Sequence, residues 1–110
     1  MRYEEYKSAE EIYKKAHQMN PDNPWTYLYI GNLYYAKNNF PEAIEWFTEA
    51  SKRIPDNGCP FWCLAEAYEK SGQWLLADKF FNKAVDVDPE SEEAIIKLEN
   101  WLDRNEPEYK

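Results

Sequence analysis

The chain has 110 residues, 44% of them hydrophobic and 31% charged, a balance typical of one soluble globular domain with a modest core. The formal net charge of −8 disfavours nucleic acid and anionic membranes as partners. No apolar run approaches the roughly 20 residues of a membrane span, and the charged N-terminus differs from a signal peptide. A cytoplasmic location is therefore expected.

The first predicted helix spans residues 3–19. Its apolar residues recur three and four positions apart, so they share one face, and charged residues occupy much of the rest. Pro21 ends this helix, and Asn23 is suited to cap the next one. The apolar face consists of Tyr6, Ala9, Tyr13 and Ala16.

Five further helices are predicted after this turn. Asn57 and Ser91 repeat the capping role of Asn23 at one constant interval. Gly31 lies inside a helix, where glycine costs about 1 kcal/mol relative to alanine. We therefore expect a close helix approach at Gly31, with Ala43 as its small counterpart. The predicted helices span residues 24–37, 40–53, 58–71, 74–87 and 91–104.

Prolines, alanines and aromatic residues recur along the chain with one period. Five independent series share the interval that separates Pro21 from Pro55, which we call the repeat length. A period of this size is the signature of a solenoid built from stacked helix pairs. The series are Pro21, Pro55 and Pro89; Ala9, Ala43 and Ala77; Ala16, Ala50 and Ala84; Tyr13, Phe47 and Phe81; and Tyr6, Phe40 and Trp74.

The period divides a single domain, residues 1–110, into four parts. Residues 3–21 hold the second helix of an incomplete repeat, residues 24–57 and 58–91 are full repeats, and residues 92–104 form a C-terminal capping helix. In the last helix we expect the apolar side chains to face inward and Glu99, at the place of a packed glycine or alanine, to mark the end of the stack. The inward residues are Ile95, Leu98 and Leu102.

At these positions the chain resembles the tetratricopeptide repeat family. The resemblance implies an all-α fold, a right-handed α-solenoid of about six helices stacked as antiparallel hairpins, with the inner helices lining a concave surface. In the first full repeat it rests on Tyr27, Ile30, Gly31, Tyr34, Ala43, Phe47, Ala50 and Pro55. In the second it rests on Phe61, Leu64, Ala65, Tyr68, Ala77, Phe81, Ala84 and Pro89.

A set of inner-helix residues outside the packing series is predicted to line this concave groove. Aromatic side chains remain in the set, and exposed aromatic clusters on a concave surface usually mark a binding site. The alternative is that Trp25 and Trp62 pack on each other or on neighbouring helices and bind nothing. The predicted site residues are Trp25, Leu28, Asn32, Tyr35, Cys59, Trp62, Glu66, Glu69, Glu93 and Ile96.

The acidic side chains of this set determine which partner is expected. Family members that grip the carboxylate tail of heat-shock chaperones use Lys, Arg and Asn side chains, and only Asn32 matches that clamp. Leu28, Cys59 and Glu93 stand at places where the clamp has basic residues, so we reject this interpretation. The groove favours a protein or peptide partner with an apolar or aromatic anchor and basic flanks.

Other chemistry has little support in the sequence. No phosphate loop, nucleophile elbow or metal-spaced His pair is present, so no enzyme activity, cofactor or metal is predicted. His17 is interpreted as a surface or helix-end residue. Cys59 and Cys63 lie four residues apart on one predicted helix, which hinders a disulfide between them, and reduced thiols are expected.

Two other hypotheses remain beside groove binding. The first is self-association, as a homodimer or with the groove of a neighbour, through the incompletely covered N-terminal helix. The residues of this surface would be Tyr3, Tyr6 and Tyr13. The second is a redox or metal-binding role for Cys59 and Cys63.

Overall fold

The structure, a computed structural model, describes residues 3–105, apart from the side chain of Tyr3. These residues form six α-helices and no strand. The predicted helices are confirmed, and every boundary agrees to within one residue. The helices are α1 (Tyr3–Met19), α2 (Pro24–Ala36), α3 (Phe40–Arg53), α4 (Cys59–Lys70), α5 (Trp74–Val87) and α6 (Glu92–Arg104).

Helices that follow one another in sequence also pack against one another. In addition, α4 contacts both α2 and α6, so these three form an inner row, while α1, α3 and α5 form an outer row. The resulting stack is elongated, with extents of 50 × 29 × 20 Å. None of the helices described is both long and apolar enough to cross a membrane.

Side chains cap the inner helices at the predicted positions. Asn23 Oδ1 accepts a hydrogen bond of 3.1 Å from the backbone N–H of Trp25, and Asn57 Oδ1 accepts one of 2.8 Å from that of Cys59. Ser91 Oγ accepts from the N–H of Ala94 at 3.2 Å. Each cap satisfies a backbone donor that a helix start otherwise leaves unpaired.

The predicted close approach at Gly31 involves Phe47 of α3. A Cβ atom built on Gly31 would come within 2.6 Å of two ring carbons of Phe47, so a side chain here would displace that ring. Phe47 is itself almost fully buried. The expected counterpart, Ala43, is also buried, but the atoms that require a glycine belong to Phe47.

Equivalent turns join the inner helices to the outer ones. Asn38 and Gly72 lie one repeat length apart and both adopt a positive φ, 62° and 78°. The next residue in each turn donates its N–H back into the preceding helix, from Asn39 to the Tyr34 carbonyl and from Gln73 to the Tyr68 carbonyl. This geometry is a Schellman-type helix end, which glycine and asparagine favour.

The last helix, α6, is oriented differently from the prediction. Its buried residues are Ala94 and Trp101, whereas Ile95 is 37% exposed and Leu102 is 51% exposed. The prediction that Ile95 and Leu102 face inward is therefore wrong, although Leu98 is partly buried against the core. The reason is that Ile95 and Leu102 occupy the face that meets an outer helix in the full repeats, and no described helix covers that face of α6.

Candidate functional site

The residues predicted to line the groove lie on the three inner helices. Trp25, Asn32, Glu93 and Ile96 are exposed. The partly exposed members are Tyr35, Cys59, Trp62, Glu66 and Glu69.

Leu28 was assigned to the groove incorrectly, because it is a core residue with only 2% of its surface exposed. It belongs to one cluster of buried side chains with Cys63 and Leu64 of α4. The packing of α4 against α2 thus covers the position at which a groove side chain was expected.

The two tryptophans of the groove have different environments. Trp25 is 39% exposed near the start of α2, whereas Trp62 is partly buried and packs against all three buried clusters of the stack. No ring contact joins Trp25 to Trp62 within the described part of the chain. Trp25 and Ile96, which is 48% exposed, therefore offer the larger accessible apolar surfaces.

Two of the predicted acidic residues form ion pairs with α6. Lys97 Nζ lies 3.0 Å from Glu66 Oε2, and Arg104 donates two hydrogen bonds of 3.0 and 2.9 Å to the carboxylate of Glu69. Glu93 lies farther from Lys97, at 3.9 Å. The negative charge of the groove is therefore partly compensated by the protein itself.

Sequence reasoning missed both basic partners. Arg104 could have been found, because it follows Lys70, a basic residue at the end of the inner helix α4, by one repeat length. Lys97 has no such signal, since its equivalent one repeat length earlier is Cys63, which is buried.

The ion pairs border an open depression of about 530 Å³ at the end of the groove. Trp74 forms part of its wall and is 55% exposed, although its register placed it in an aromatic packing series. Its ring stacks on Trp101 at a centroid distance of 6.2 Å. The depression combines aromatic and charged groups, and its lining consists of Tyr35, Glu66, Glu69, Lys70, Trp74 and Arg104.

Burial and neighbouring charges shift the pKa values of two groups in this region. Burial raises the pKa of Tyr35, and the charges of Glu66 and Glu69 raise it further. Burial tends to lower the pKa of Lys97, but its hydrogen bond to Glu66 and the charges of Glu66 and Glu93 raise it overall. Lys97 therefore remains a cation in the folded protein at neutral pH.

The two cysteines are free and occupy different environments. Cys59 is partly exposed at the start of α4, whereas Cys63 is buried one turn later. A hydrogen bond from the Cys63 thiol lowers the pKa of Cys59, and the same bond together with burial raises the pKa of Cys63 well above its usual range. Within residues 3–105, no three or more His, Cys, Asp or Glu side chains are grouped so that they could hold a metal ion.

The tyrosines of the self-association hypothesis contact α2 within the chain. The Tyr6 hydroxyl donates to the carbonyl of Ala36 at 3.1 Å, and the Tyr13 ring stacks on Tyr29 at 5.7 Å. The side chain of Tyr3 lies outside the described residues. Self-association through these residues stays a prediction.

His17 lies at the end of α1 among aromatic rings. Its ring makes edge contacts with Tyr27 at 4.9 Å and with Trp46 at 5.9 Å. The guanidinium of Arg53 covers Tyr27 at 4.2 Å. His17 therefore lies near a helix end, as predicted, and its side chain is partly buried.

Comparison with known families accounts for the repeated hairpins. Residues 1–60 match a family model described as "Tetratricopeptide repeat", and residues 64–91 match a second model of the same description. The chain belongs to the tetratricopeptide repeat family. The first match alone covers more than half of the sequence.

Two curated relatives contain segments similar to this chain. The small glutamine-rich tetratricopeptide repeat-containing protein 2 of Mycosarcoma maydis is 33% identical over 95 residues, which is 84% of this chain and 26% of that protein. Anaphase-promoting complex subunit 6 of Arabidopsis thaliana is 26% identical over 96 residues, which is 83% of this chain and 18% of that protein. The chain thus spans only a minor part of each relative.

Solved structures support the right-handed tetratricopeptide repeat solenoid. The Sgt2 domain of Aspergillus fumigatus superposes with a TM-score of 0.80 at 20% identity, over 92% of this chain and 68% of that one. The first such domain of Spaghetti (RPAP3), bound to the HSP90 peptide SRMEEVD, gives 0.78 at 18% identity, over 91% and 79%. The Yersinia enterocolitica chaperone SycD, bound to a YopD peptide, gives 0.79 at 15% identity, over 93% and 83%.

Proposed function

We propose that this chain is a protein-interaction module that binds a segment of a partner polypeptide along its inner helices. The observation that carries the proposal is the exposed apolar surface of Trp25 and Ile96, which are 39% and 48% exposed on the inner helices α2 and α6. Two structural neighbours hold a peptide, the HSP90 peptide on the Spaghetti domain and the YopD peptide on SycD. Their likeness to this chain concerns the fold, and it supports the proposal by analogy.

The partner segment has an apolar or aromatic anchor with basic residues beside it. Apolar side chains of the segment, the anchor among them, contact Trp25, the exposed part of Trp62 and Ile96, because these side chains lose the most apolar surface when they are covered. The basic residues are attracted by Glu93 and by the net charge of −8. Glu66 and Glu69 contribute less, since Lys97 and Arg104 already neutralise them.

A carboxylate-tail partner is disfavoured by the same charges. Lys97 and Arg104 are two of the cations on this surface, and both are held by glutamates of α4. The peptide SRMEEVD, which the Spaghetti domain binds, would bring further negative charge to this surface. It therefore serves as the matched negative probe.

Selection from a random peptide library displayed on phage tests this function. We expect enriched peptides to share an apolar or aromatic residue flanked by Lys or Arg, and SRMEEVD not to bind. Trp25→Ala and Ile96→Ser should weaken the enriched peptides by about tenfold or more each. Leu75→Ala is the control, because Leu75 is 89% exposed on an outer helix.

Trp62→Ala requires a separate check because Trp62 also packs against the buried clusters. Its circular dichroism spectrum and melting temperature should be compared with those of the wild type before its binding is interpreted. Enrichment of acidic peptides, or equal binding by the Trp25 and Ile96 variants, would contradict the proposal.

A further inference from the structure

In both full repeats, an aromatic residue of the outer helix packs on the inner helix of the same repeat. The Phe80 ring stacks on Phe61 at 6.4 Å and on Tyr68 at 5.5 Å. In the preceding repeat, Trp46 contacts Tyr27 at 5.7 Å. In each full repeat, the inner and outer helices are therefore joined through side chains at equivalent positions.

The same positions recur, uncovered, at the two ends of the described stack. On α6, Ile95 and Leu102 follow Phe61 and Tyr68 by one repeat length, and they are 37% and 51% exposed. On α1, Ile12 precedes Trp46 by one repeat length and is 64% exposed. α6 is therefore an inner helix with an open face, and α1 is an outer helix with an open face.

These two faces are complementary in register. If α1 of a second copy took the place of an outer helix on α6, Ile12 would lie against Ile95 and Leu102 as Phe80 lies against Phe61 and Tyr68. Lys15 would take the place of Lys83, whose Nζ lies 6.0 Å from the Phe61 ring. It would thereby approach α6, whose first turn carries Glu92 and Glu93.

Glu99 opposes the docking in this register. It follows Ala65 by one repeat length and Gly31 by two, and at Gly31 even a Cβ atom would lie 2.6 Å from the ring of Phe47. Tyr13 is the equivalent of Phe47 on α1, so it would cover the Glu99 side chain. Glu99 is exposed in the present structure, and covering its carboxylate with the Tyr13 ring would remove water that a single phenolic hydroxyl does not replace.

We propose that Glu99 prevents α1 of a second copy of this chain from binding to the exposed face of α6. Without Glu99, the two helices would fit each other. The contact would join the end of one copy to the beginning of the next. Such a heterologous contact does not close on itself and would lead to open chains of copies. A single carboxylate at the small-residue position therefore limits the length of the stack.

Sedimentation velocity over a range of protein concentrations tests this role with the variant Glu99→Ala. The wild type is expected to remain monomeric, and the variant to form oligomers that grow with concentration, with self-association tighter by about tenfold or more. Adding Ile12→Lys to Glu99→Ala should restore the monomer. Circular dichroism should show an unchanged fold in these variants, because both substituted positions are exposed on helices.

Asp103→Ala is the matched control, because it removes one negative charge from an exposed position on the same helix. It should leave the protein monomeric. The proposal is overturned if Glu99→Ala stays monomeric, if Asp103→Ala associates equally, or if Ile12→Lys leaves the oligomers intact. It is equally overturned if the wild type already associates through a contact that Ile12→Lys abolishes.

Discussion

The guanidinium of Arg104 forms two hydrogen bonds with the carboxylate of Glu69, at 3.0 and 2.9 Å, and so ties the last turn of α6 to α4. An arginine–carboxylate pair joined by two parallel hydrogen bonds is stronger than one joined by a single hydrogen bond. Both residues line the depression at the end of the groove. The pair therefore forms part of the wall of the depression, and Arg104 neutralises the negative charge of Glu69 there.

Exchanging the two charges tests the contribution of this pair to stability. Arg104→Glu should lower the free energy of unfolding by about 1 kcal/mol, because it places two carboxylates together at a partly exposed site. Adding Glu69→Arg to the same chain should recover much of the loss. Urea denaturation of the wild type, both single variants and the double variant gives the coupling energy, and a value near zero would show that the pair is not stabilising.

Trp101 is expected to hold α6 on the stack. It is 4% exposed, stacks on Phe81 at 5.3 Å, and donates from Nε1 to Asp78 Oδ1 at 2.9 Å. Trp101→Ala should lower the free energy of unfolding by about 3 to 5 kcal/mol. Leu102→Ala is the control, since its exposed side chain should cost under about 1 kcal/mol. Equal losses in chemical denaturation would mean that α6 is oriented otherwise.

Gly31 should resist replacement by alanine, although alanine is the better helix former. The helix gain of up to about 1 kcal/mol is outweighed by the displacement of the buried Phe47 ring, for which overpacking costs about 1 to 3 kcal/mol. We expect a net loss of about 1 kcal/mol in thermal or urea unfolding. Asn32→Ala, an exposed neighbour on the same helix, should be nearly neutral, and a Gly31→Ala variant more stable than the wild type would contradict the close approach.

Cys59 should react with iodoacetamide well before Cys63. The Cys63 thiol lowers the pKa of Cys59 by its hydrogen bond, which raises the thiolate fraction of Cys59 at any pH below its pKa. Cys63→Ala removes this donor, so the pKa of Cys59 should rise and its alkylation at about pH 7.5 should slow by severalfold. Mass spectrometry of timed digests measures both rates. An unchanged rate in Cys63→Ala would exclude the thiol hydrogen bond as the cause.

The periodic sequence predicts the helices well, because each repeat meets the same neighbours. It placed the caps Asn23, Asn57 and Ser91 and anticipated the close approach at Gly31. The same periodicity failed at α6, where Ile95 and Leu102 have no outer helix to pack against. A rule transferred from one repeat to the next holds only when the neighbouring helices are transferred with it.

The groove was harder to predict than the fold. Leu28 was misplaced because small shifts in helix packing decide whether a position near the edge of a helix face is covered. The pairs of Lys97 with Glu66 and Arg104 with Glu69 were missed because they join different helices, far apart in sequence. Spacing within one helix predicts which residues share a face, but ion pairs between helices depend on where long side chains meet.

The linear arrangement of contacts, in which each helix contacts its sequence neighbours and α4 alone contacts both other inner helices, affects how the protein opens. Amide protons of α4 should exchange with solvent most slowly, and those of α1 most rapidly, since α1 contacts α2 alone. Hydrogen exchange followed by NMR would then show protection that decreases from the centre outward. In such a molecule a partner that spans several inner helices would slow fraying at both ends at once, so binding and local order would rise together.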